Sequence, residues 1–266
     1  MTSDLIYVYC ISDSACETDS ITDTEGLKFL LIDGFYVSVK YVPESEFSEE
    51  NFKRNLSDLQ WLETNARAHI NVITSIMESN TVIPFKFGTL FAAEAGLRKF
   101  VSDYSDSLAE NFERIRGKEE WAVKIYCNRK MLGDKIDELS EEAASLEEQI
   151  MASSPGKAFL LKRKKTEVVE NELNRLCQKY GQQYFEAFNN LSDATRLNNL
   201  LPKEFTGRED TMILNSAFFV SKNRVTAFKT AVDMIRNEDG NSSFFIETTG
   251  PWPPFSFISI KEKGAG

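Results

Sequence analysis

His69 is the single histidine of the chain, and it is the side chain best suited to acid–base chemistry near neutral pH. A catalytic histidine needs a nucleophile or a carboxylate within hydrogen-bonding reach. The helix predicted around His69 places Glu63 and Arg67 on other faces, whereas His69 falls on the apolar stripe. The pattern therefore favours a hydrogen-bonded structural histidine over a catalytic one.

Other chemistry-bearing residues do not form a recognisable site. The four cysteines, Cys10, Cys16, Cys127 and Cys177, contain no CxxC pair, and zinc sites need clustered Cys and His ligands. The acidic runs SEFSEEN and ELSEEAASLEE lack the Asp and Gly spacing of a calcium loop. Phosphate-binding glycine loops, GxSxG and HExxH are absent from the sequence. We therefore expect no metal, no cofactor and no enzymatic activity.

Two short segments are unusual for plain structural elements. VIPFKFGTLF, residues 82–91, combines Pro84, Lys86 and Gly88, although strand interiors avoid proline and glycine. GPWPPFSF, residues 250–257, holds three prolines and three aromatic residues in eight positions, so it cannot be helical. The first segment fits an edge strand with a bulge or a recognition element. The second fits a stiff arm that packs on its own domain or presents aromatic residues to a partner.

Composition restricts the class of protein. The 266 residues carry a formal net charge of −10 and a pI near 4.9, so the field of the whole chain repels nucleic acid and anionic membrane surfaces. No apolar stretch is long enough to cross a bilayer, and no signal peptide is recognisable. We therefore expect a cytoplasmic protein with reduced thiols that binds neither nucleic acid nor membrane.

The first part of the chain predicts an α+β domain. LIYVYC, residues 5–10, and the pair LKFLLI and FYVSVK, residues 27–32 and 35–40, have strand composition. The dipeptide Asp33-Gly34 between the last two predicts a hairpin turn. From Asp58 the period changes to that of a helix with one apolar stripe, and a second helical stripe runs from Leu97 to Ile115.

The second part predicts a strand at 119–127 and then a long heptad pattern. Apolar residues repeat from Leu132 to Ile150 and again from Thr166 to Tyr180, and SSPG at 153–156 separates the two runs. Residues 129–190 are therefore predicted to form an antiparallel coiled-coil hairpin with Leu139, Leu146, Val169 and Leu176 in its seam. A strand at 212–220, a helix and a strand at 242–249 follow. Domains 1–117 and 118–266 result.

Six segments occur together in an order that resembles the gas vesicle protein F/L family. They are LIYVYCI (5–11), WLETNARAHINVI (61–73), VIPFKFGTLF (82–91), EWAVKIYC (120–127), SPGKAFLLKRK (154–164) and GPWPPFSF (250–257). The resemblance covers essentially the whole chain. It implies a modified ferredoxin-like N-terminal domain and a C-terminal α+β domain with a coiled-coil element.

The resemblance also implies a function. Members of the family are accessory proteins of gas vesicle formation that are thought to contact the small hydrophobic shell protein and other accessory proteins. The residues that match the family motifs are candidates for partner contact. They are Trp61, His69, Pro84, Phe85, Lys86, Phe87, Gly88, Thr89, Trp252, Pro253, Pro254 and Phe255.

A rival interpretation keeps the ferredoxin-like sheet but makes the protein a small-ligand-binding or enzymatic module, in which His69, Lys86 and a carboxylate form a small polar site. A closed pocket that converges on these groups would favour it. For the C-terminal segment we expect Trp252 to pack on the C-terminal domain and residues 255–260 to join the edge of its sheet.

Overall fold

The computed structural model describes residues 4–16, 25–237 and 243–261. The chain forms two compact units, one of residues Met1–Glu120 together with the segment from Pro251 onward, and one of residues Trp121–Gly250. The sequence placed residues 251–266 with the second domain, so the described part of this segment, 251–261, corrects that expectation. Ser256, Phe257 and Ser259 of this segment form hydrogen bonds with residues of the first unit.

The first unit is a sheet with helices. Its strands are β1 (Asp4–Ser12), β2 (Leu27–Ile32), β3 (Phe35–Pro43), β4 (Val82–Pro84) and β5 (Leu90–Phe91). Its helices are α1 (Glu44–Phe47), α2 (Glu49–Asn55), α3 (Leu59–Met77), α4 (Glu94–Asp103) and α5 (Ser105–Ile115). The strand order is β2-β3-β1-β4, and β5 also pairs with β1, at Ile6 and Tyr7. This mixture of helices and antiparallel sheet confirms the predicted α+β class.

The predicted hairpin is confirmed. β2 and β3 pair from Ile32↔Phe35 outward, and the two turn residues, Asp33 and Gly34, have φ of 49° and 86°. Positive φ at both positions is what a two-residue type I′ turn requires. β1 pairs with β3 but shifts register between Val8 and Cys10, which leaves Tyr9 as an extra residue in the strand.

Helix α3 starts where the sequence predicts. The Asp58 carboxylate accepts hydrogen bonds from the backbone N–H groups of Gln60 and Trp61, as an N-cap residue does. The second half of the apolar stripe is buried, including His69, Ile73 and Ile76, whereas Leu59 at its start is 79% exposed. The second helical stripe of the sequence is divided into α4 and α5, because the backbone leaves helical geometry at Tyr104, whose φ is −106° and ψ is 10°.

The second unit has a four-stranded sheet in the order β7-β8-β6-β9. Its strands are β6 (Lys118–Cys127), β7 (Ala194–Leu197), β8 (Thr211–Ser221) and β9 (Phe244–Trp252). Its helices are α6 (Arg129–Gly133), α7 (Ile136–Leu139), α8 (Glu141–Met151), α9 (Pro155–Asn189), α10 (Lys203–Thr206) and α11 (Val225–Asn237), with a 3-10 turn at Lys222–Arg224. Residue 242 of the predicted last strand lies outside the described residues, and β9 continues to Trp252.

The helical hairpin is made by α8 and α9. Ala143, Leu173 and Leu176 belong to one apolar cluster, against which Val169 packs, and Leu146 is buried. The predicted seam is wrong at Leu139, which is 38% exposed. The reason is local: the Ser140 hydroxyl accepts a hydrogen bond from the Ala143 N–H, so a new helix begins there and the heptad phase is lost. The coiled-coil geometry stays a prediction.

The second half of α9 packs directly on the sheet. A Cβ at Gly181 would lie 2.7 Å from the carbonyl oxygen of Ile213 in β8, so only glycine permits this approach. Next to it, Tyr184 and Phe188 of α9 enter the core of the unit together with Phe218 and Phe228. The long helix therefore has two parts, one buried on the sheet and one paired with α8.

Candidate functional site

His69 lies at the centre of the family-motif residues of the first unit. Its Nδ1 is 2.9 Å from the Tyr7 hydroxyl, and its Nε2 is 2.9 Å from the carbonyl oxygen of Phe85. A carbonyl oxygen can only accept, so Nε2 carries the proton and Nδ1 accepts from Tyr7. The ring also stacks on Tyr9 at 5.5 Å between centroids. Both nitrogens are therefore used to join α3, β1 and the segment after β4.

Burial controls the titration of this histidine. The side chain is 1% exposed, and desolvation lowers the pKa of His69 to about 4, against a smaller opposite effect of its bond to Phe85. Desolvation likewise raises the pKa of Tyr7. The ring is thus neutral at physiological pH, and it acts as a structural donor and acceptor.

An acid-dependent stability follows from this pKa. Because folding lowers it from about 6.5, the stability that the neutral ring gives is complete above about pH 6.5 and is lost as the pH falls towards 4. We expect His69→Asn to lower the free energy of unfolding by about 2 kcal/mol at pH 7, because two buried hydrogen bonds are lost. From pH 7 to pH 5 the difference between the two proteins should shrink by about 2 kcal/mol.

Urea unfolding at pH 7 and pH 5 measures both quantities, and no other histidine contributes to the difference. Vesicle formation by His69→Asn should fall only as far as its stability falls. A stability gap that is the same at both pH values would contradict a neutral buried histidine, and a fully stable but inactive variant would contradict its structural role.

Residues 85–89 form a tight loop between β4 and β5. The Phe85 N–H donates to the carbonyl oxygen of Tyr9, and Thr89 donates to the Lys86 carbonyl through both its N–H and its hydroxyl. The Gly88 N–H donates to the Tyr7 hydroxyl over 3.3 Å. The loop is therefore held by hydrogen bonds to the same two tyrosine residues that contact His69.

Two features of the structure favour glycine at position 88. Its φ is +81°, and a Cβ there would lie 2.4 Å from Cζ of Phe52. That close approach brings Phe87 into an aromatic cluster with Phe52 and Trp61, whose rings lie 5.8 and 6.1 Å from that of Phe87. The Trp61 indole N–H donates to the carboxylate of Glu46. Thus Trp61, His69 and the loop are one assembly, in which Pro84 and Phe85 are buried and Lys86 is exposed.

A concave pocket of about 410 Å³ lies beside this assembly, lined among others by Tyr9, Lys40, Asn65 and His69. Lys86 is not among its lining residues. His69 contributes a ring whose two nitrogens are already bonded within the protein. The pocket therefore does not bring together His69 and Lys86, as the rival ligand-binding interpretation requires.

The C-terminal segment lies elsewhere on the first unit. Pro253 and Pro254 are buried, and Phe255 packs against an apolar cluster that includes Cys10 and Ile73. Trp252 ends β9 and is 39% exposed. The expectation that Trp252 is the packed aromatic residue and that residues 255–260 join a sheet edge is therefore wrong. The reason is the turn that starts at Pro253, whose carbonyl accepts from the Phe255 N–H and ends the strand.

Polar groups that the sequence analysis missed hold this segment in place. Buried Glu120 accepts from both the N–H and the hydroxyl of Ser256, at 3.0 and 2.6 Å. The Asn111 side chain pairs with both backbone groups of Ser259. Arg114 donates to the carbonyl oxygen of Phe257 over 2.6 Å. Asn111 and Arg114 are three residues apart on one face of α5, which the sequence shows. Nothing nearby in the sequence relates them to a segment more than 140 residues away.

A protein-family model matches the chain over nearly its whole length. The model of the family described as gas vesicle synthesis protein GvpL/GvpF matches residues 5–259. The chain belongs to this family. The GvpL/GvpF match confirms the resemblance noted in the sequence and supports a role in gas vesicle assembly.

Named relatives come from both branches of the GvpL/GvpF family. Gas vesicle protein L of Streptomyces sp. strain CB03234 is 27% identical over 226 residues, which cover 84% of this chain and 79% of the relative. Gas vesicle protein F1 of Halobacterium salinarum is 25% identical, over 77% of this chain and 73% of the relative. In each comparison the similarity therefore extends over most of this chain and most of the relative.

Solved structures show the same fold. The crystal structure of GvpF from Anabaena sp. PCC7120 matches with a TM-score of 0.67 and 21% identity, over 99% of this chain and 100% of that chain. The crystal structure of GvpF from Microcystis aeruginosa matches with a TM-score of 0.67 and 19% identity, over 97% and 100%. The GvpL/GvpF fold therefore accounts for both units of the chain.

Two kinds of feature are absent from the described ranges of the chain. In residues 4–16, 25–237 and 243–261, no three His, Cys, Asp or Glu side chains are grouped as metal ligands would be. Within the same ranges, no helix has the length and apolar character that crossing a bilayer requires.

Proposed function

We propose that this protein is a non-enzymatic accessory protein that binds the small hydrophobic shell protein, and other accessory proteins, while gas vesicles assemble in the cytoplasm. The observation that carries the proposal is the family match over residues 5–259, because it includes both units and all the motif residues. The family resemblance implies that this shell protein is small and hydrophobic. A chain of net charge −10 is suited to stay dispersed while it handles such a protein.

The arrangement of polar groups supports binding over catalysis. His69, Tyr7 and the Gly88 N–H satisfy one another or a backbone carbonyl. A general base needs a nitrogen that can reach a substrate proton, and neither nitrogen of His69 is available for one. The motif therefore serves to shape a surface loop.

Two motif residues at separate places are exposed, and we propose them as contact residues. Lys86 is exposed at the turn of the loop, and Trp252 is 39% exposed at the end of β9. Exposed side chains on rigid backbone bind at a lower entropic cost than side chains on a flexible segment. By contrast, His69, Pro84 and Phe85 are buried and position the loop.

Binding of the purified full chain to each gas vesicle protein of its gene cluster tests the proposal. We expect the shell protein to be captured, and Lys86→Glu to weaken that binding about tenfold by reversing a contact charge. Lys53→Glu is the matched control, because Lys53 is 70% exposed in the same unit and its ion pair with Glu49 contributes little. Failure to capture any vesicle protein, together with normal vesicles in a strain that lacks the gene, would overturn the proposal.

A further inference from the structure

The turn of the helical hairpin exposes large apolar side chains. Met151 at the end of α8 is 77% exposed, and Phe159 and Leu160 in the first turns of α9 are 70% and 67% exposed. We call residues 151–166 the hairpin tip. Leaving three such side chains in water forgoes the stabilisation that burial of apolar surface would give. A cluster of this kind on a charged surface is typical of a binding site.

The hairpin tip is also basic, in contrast to the chain as a whole. Residues 151–166 contain five basic residues and no acidic one, whereas the complete chain has a net charge of −10. Four of the five are exposed: Lys157, Lys162, Arg163 and Lys164. Within the described ranges none of these four makes an ion pair, while the fifth, Lys165, pairs with Asp137 and Glu147.

Helical spacing places the apolar and basic side chains together. Phe159 and Arg163 are four residues apart, as are Leu160 and Lys164, so each of these two apolar residues has a cation one turn along the same face. Lys165 points to α8, which shows that the exposed row lies on the other side of the helix. The structure of the unit does not require this face for its own core, since α9 enters the sheet core only further along, at Tyr184 and Phe188.

We propose that the hairpin tip is a docking surface for a protein segment that forms an amphipathic helix, with apolar side chains flanked by aspartate and glutamate. Phe159, Leu160 and Met151 are its apolar anchors, and the four unpaired cations are complementary to the partner's carboxylates. This inference rests on the proposed function, because it assigns a surface and a chemistry to one of the partners.

A protein partner fits this surface better than a lipid bilayer does. Interfacial helices bury a continuous apolar face, whereas only Met151, Phe159 and Leu160 are large exposed apolar residues of the tip. The net charge of −10 also opposes approach to an anionic membrane. The same charge imposes no comparable barrier on a short helix that reaches only the basic tip.

The test uses the full chain and two labelled synthetic helices. One helix has a leucine stripe with glutamate at the other positions, and its matched partner has lysine instead of glutamate. We expect fluorescence anisotropy to show binding of the glutamate helix only, weakened by added salt. Phe159→Ser/Leu160→Ser and Lys162→Glu/Arg163→Glu/Lys164→Glu should each weaken it about tenfold or more. Phe205→Ser is the control, because Phe205 is 79% exposed in the same unit.

Several results would overturn the inference. They are equal binding of both helices, equal loss in the Phe205→Ser control, and binding of phosphatidylglycerol vesicles in place of the glutamate helix. Urea unfolding of each variant separates lost binding from lost folding. A strain without the gene tests the proposed function separately: if its vesicles are normal, that function fails, whereas the anisotropy results still decide whether the tip binds acidic helices.

Discussion

Replacing Leu146 with aspartate is expected to lower the free energy of unfolding of the second unit by about 4 kcal/mol or more. Leu146 lies on the buried face of α8 and is 3% exposed, between Ala143 and Ile150, which are buried on the same face. An aspartate there either buries an unpaired charge or must bind a proton at neutral pH. Both consequences favour separation of α8 from α9.

Leu139→Asp is the matched control for this prediction. Leu139 is 38% exposed and ends the short helix α7, so the same substitution should cost less than about 1 kcal/mol. Urea unfolding followed by far-UV circular dichroism compares the two variants with the wild type. Equal midpoints for Leu146→Asp and wild type would show that the α8 face is not buried. Equal losses in both variants would show that the heptad seam continues through Leu139.

The contrast between these two leucines shows what periodicity can predict. Heptad spacing identified both helices and most of the buried positions, because burial in a helical hairpin repeats with the helix. It failed at Leu139, because a single serine hydroxyl at Ser140 caps a new helix and changes the phase. A cap of this kind depends on one hydrogen bond, and a periodicity averaged over many residues does not detect it.

Hydrogen bonds between residues that are far apart in the sequence could not be predicted from it. The stripe on α3 correctly predicted that His69 is buried, but its partner Tyr7 is 62 residues away in β1. Similarly, Glu120 binds Ser256 across 136 residues. The types of these residues are ordinary, and only the packed sheet brings them together. The family resemblance identified the segments that contain these residues. The hydrogen bonds between the segments could be seen only in the three-dimensional structure.

Of the two aromatic residues around the buried prolines, Phe255 rather than Trp252 is expected to stabilise the first unit. Phe255→Ala should lower the free energy of unfolding by about 3 kcal/mol, because its ring packs against the cluster that contains Val72, Ile73 and Ile76. Trp252→Ala should cost less than about 1.5 kcal/mol, because the side chain is 39% exposed. The sequence predicted instead that Trp252 is the packed residue.

The packing of Phe255 gives a reason for the two prolines that precede it. Two consecutive prolines fix φ over two residues, so the chain leaves β9 in one direction and places Phe255 on its cluster at little further entropic cost. Paired urea unfolding and shell-protein binding of both variants would check this. Phe255→Ala should lose stability and Trp252→Ala should lose binding. Greater destabilisation by Trp252→Ala would show that the tryptophan is the anchor, and unaltered binding by a stable Trp252→Ala protein would remove it from the proposed contact surface.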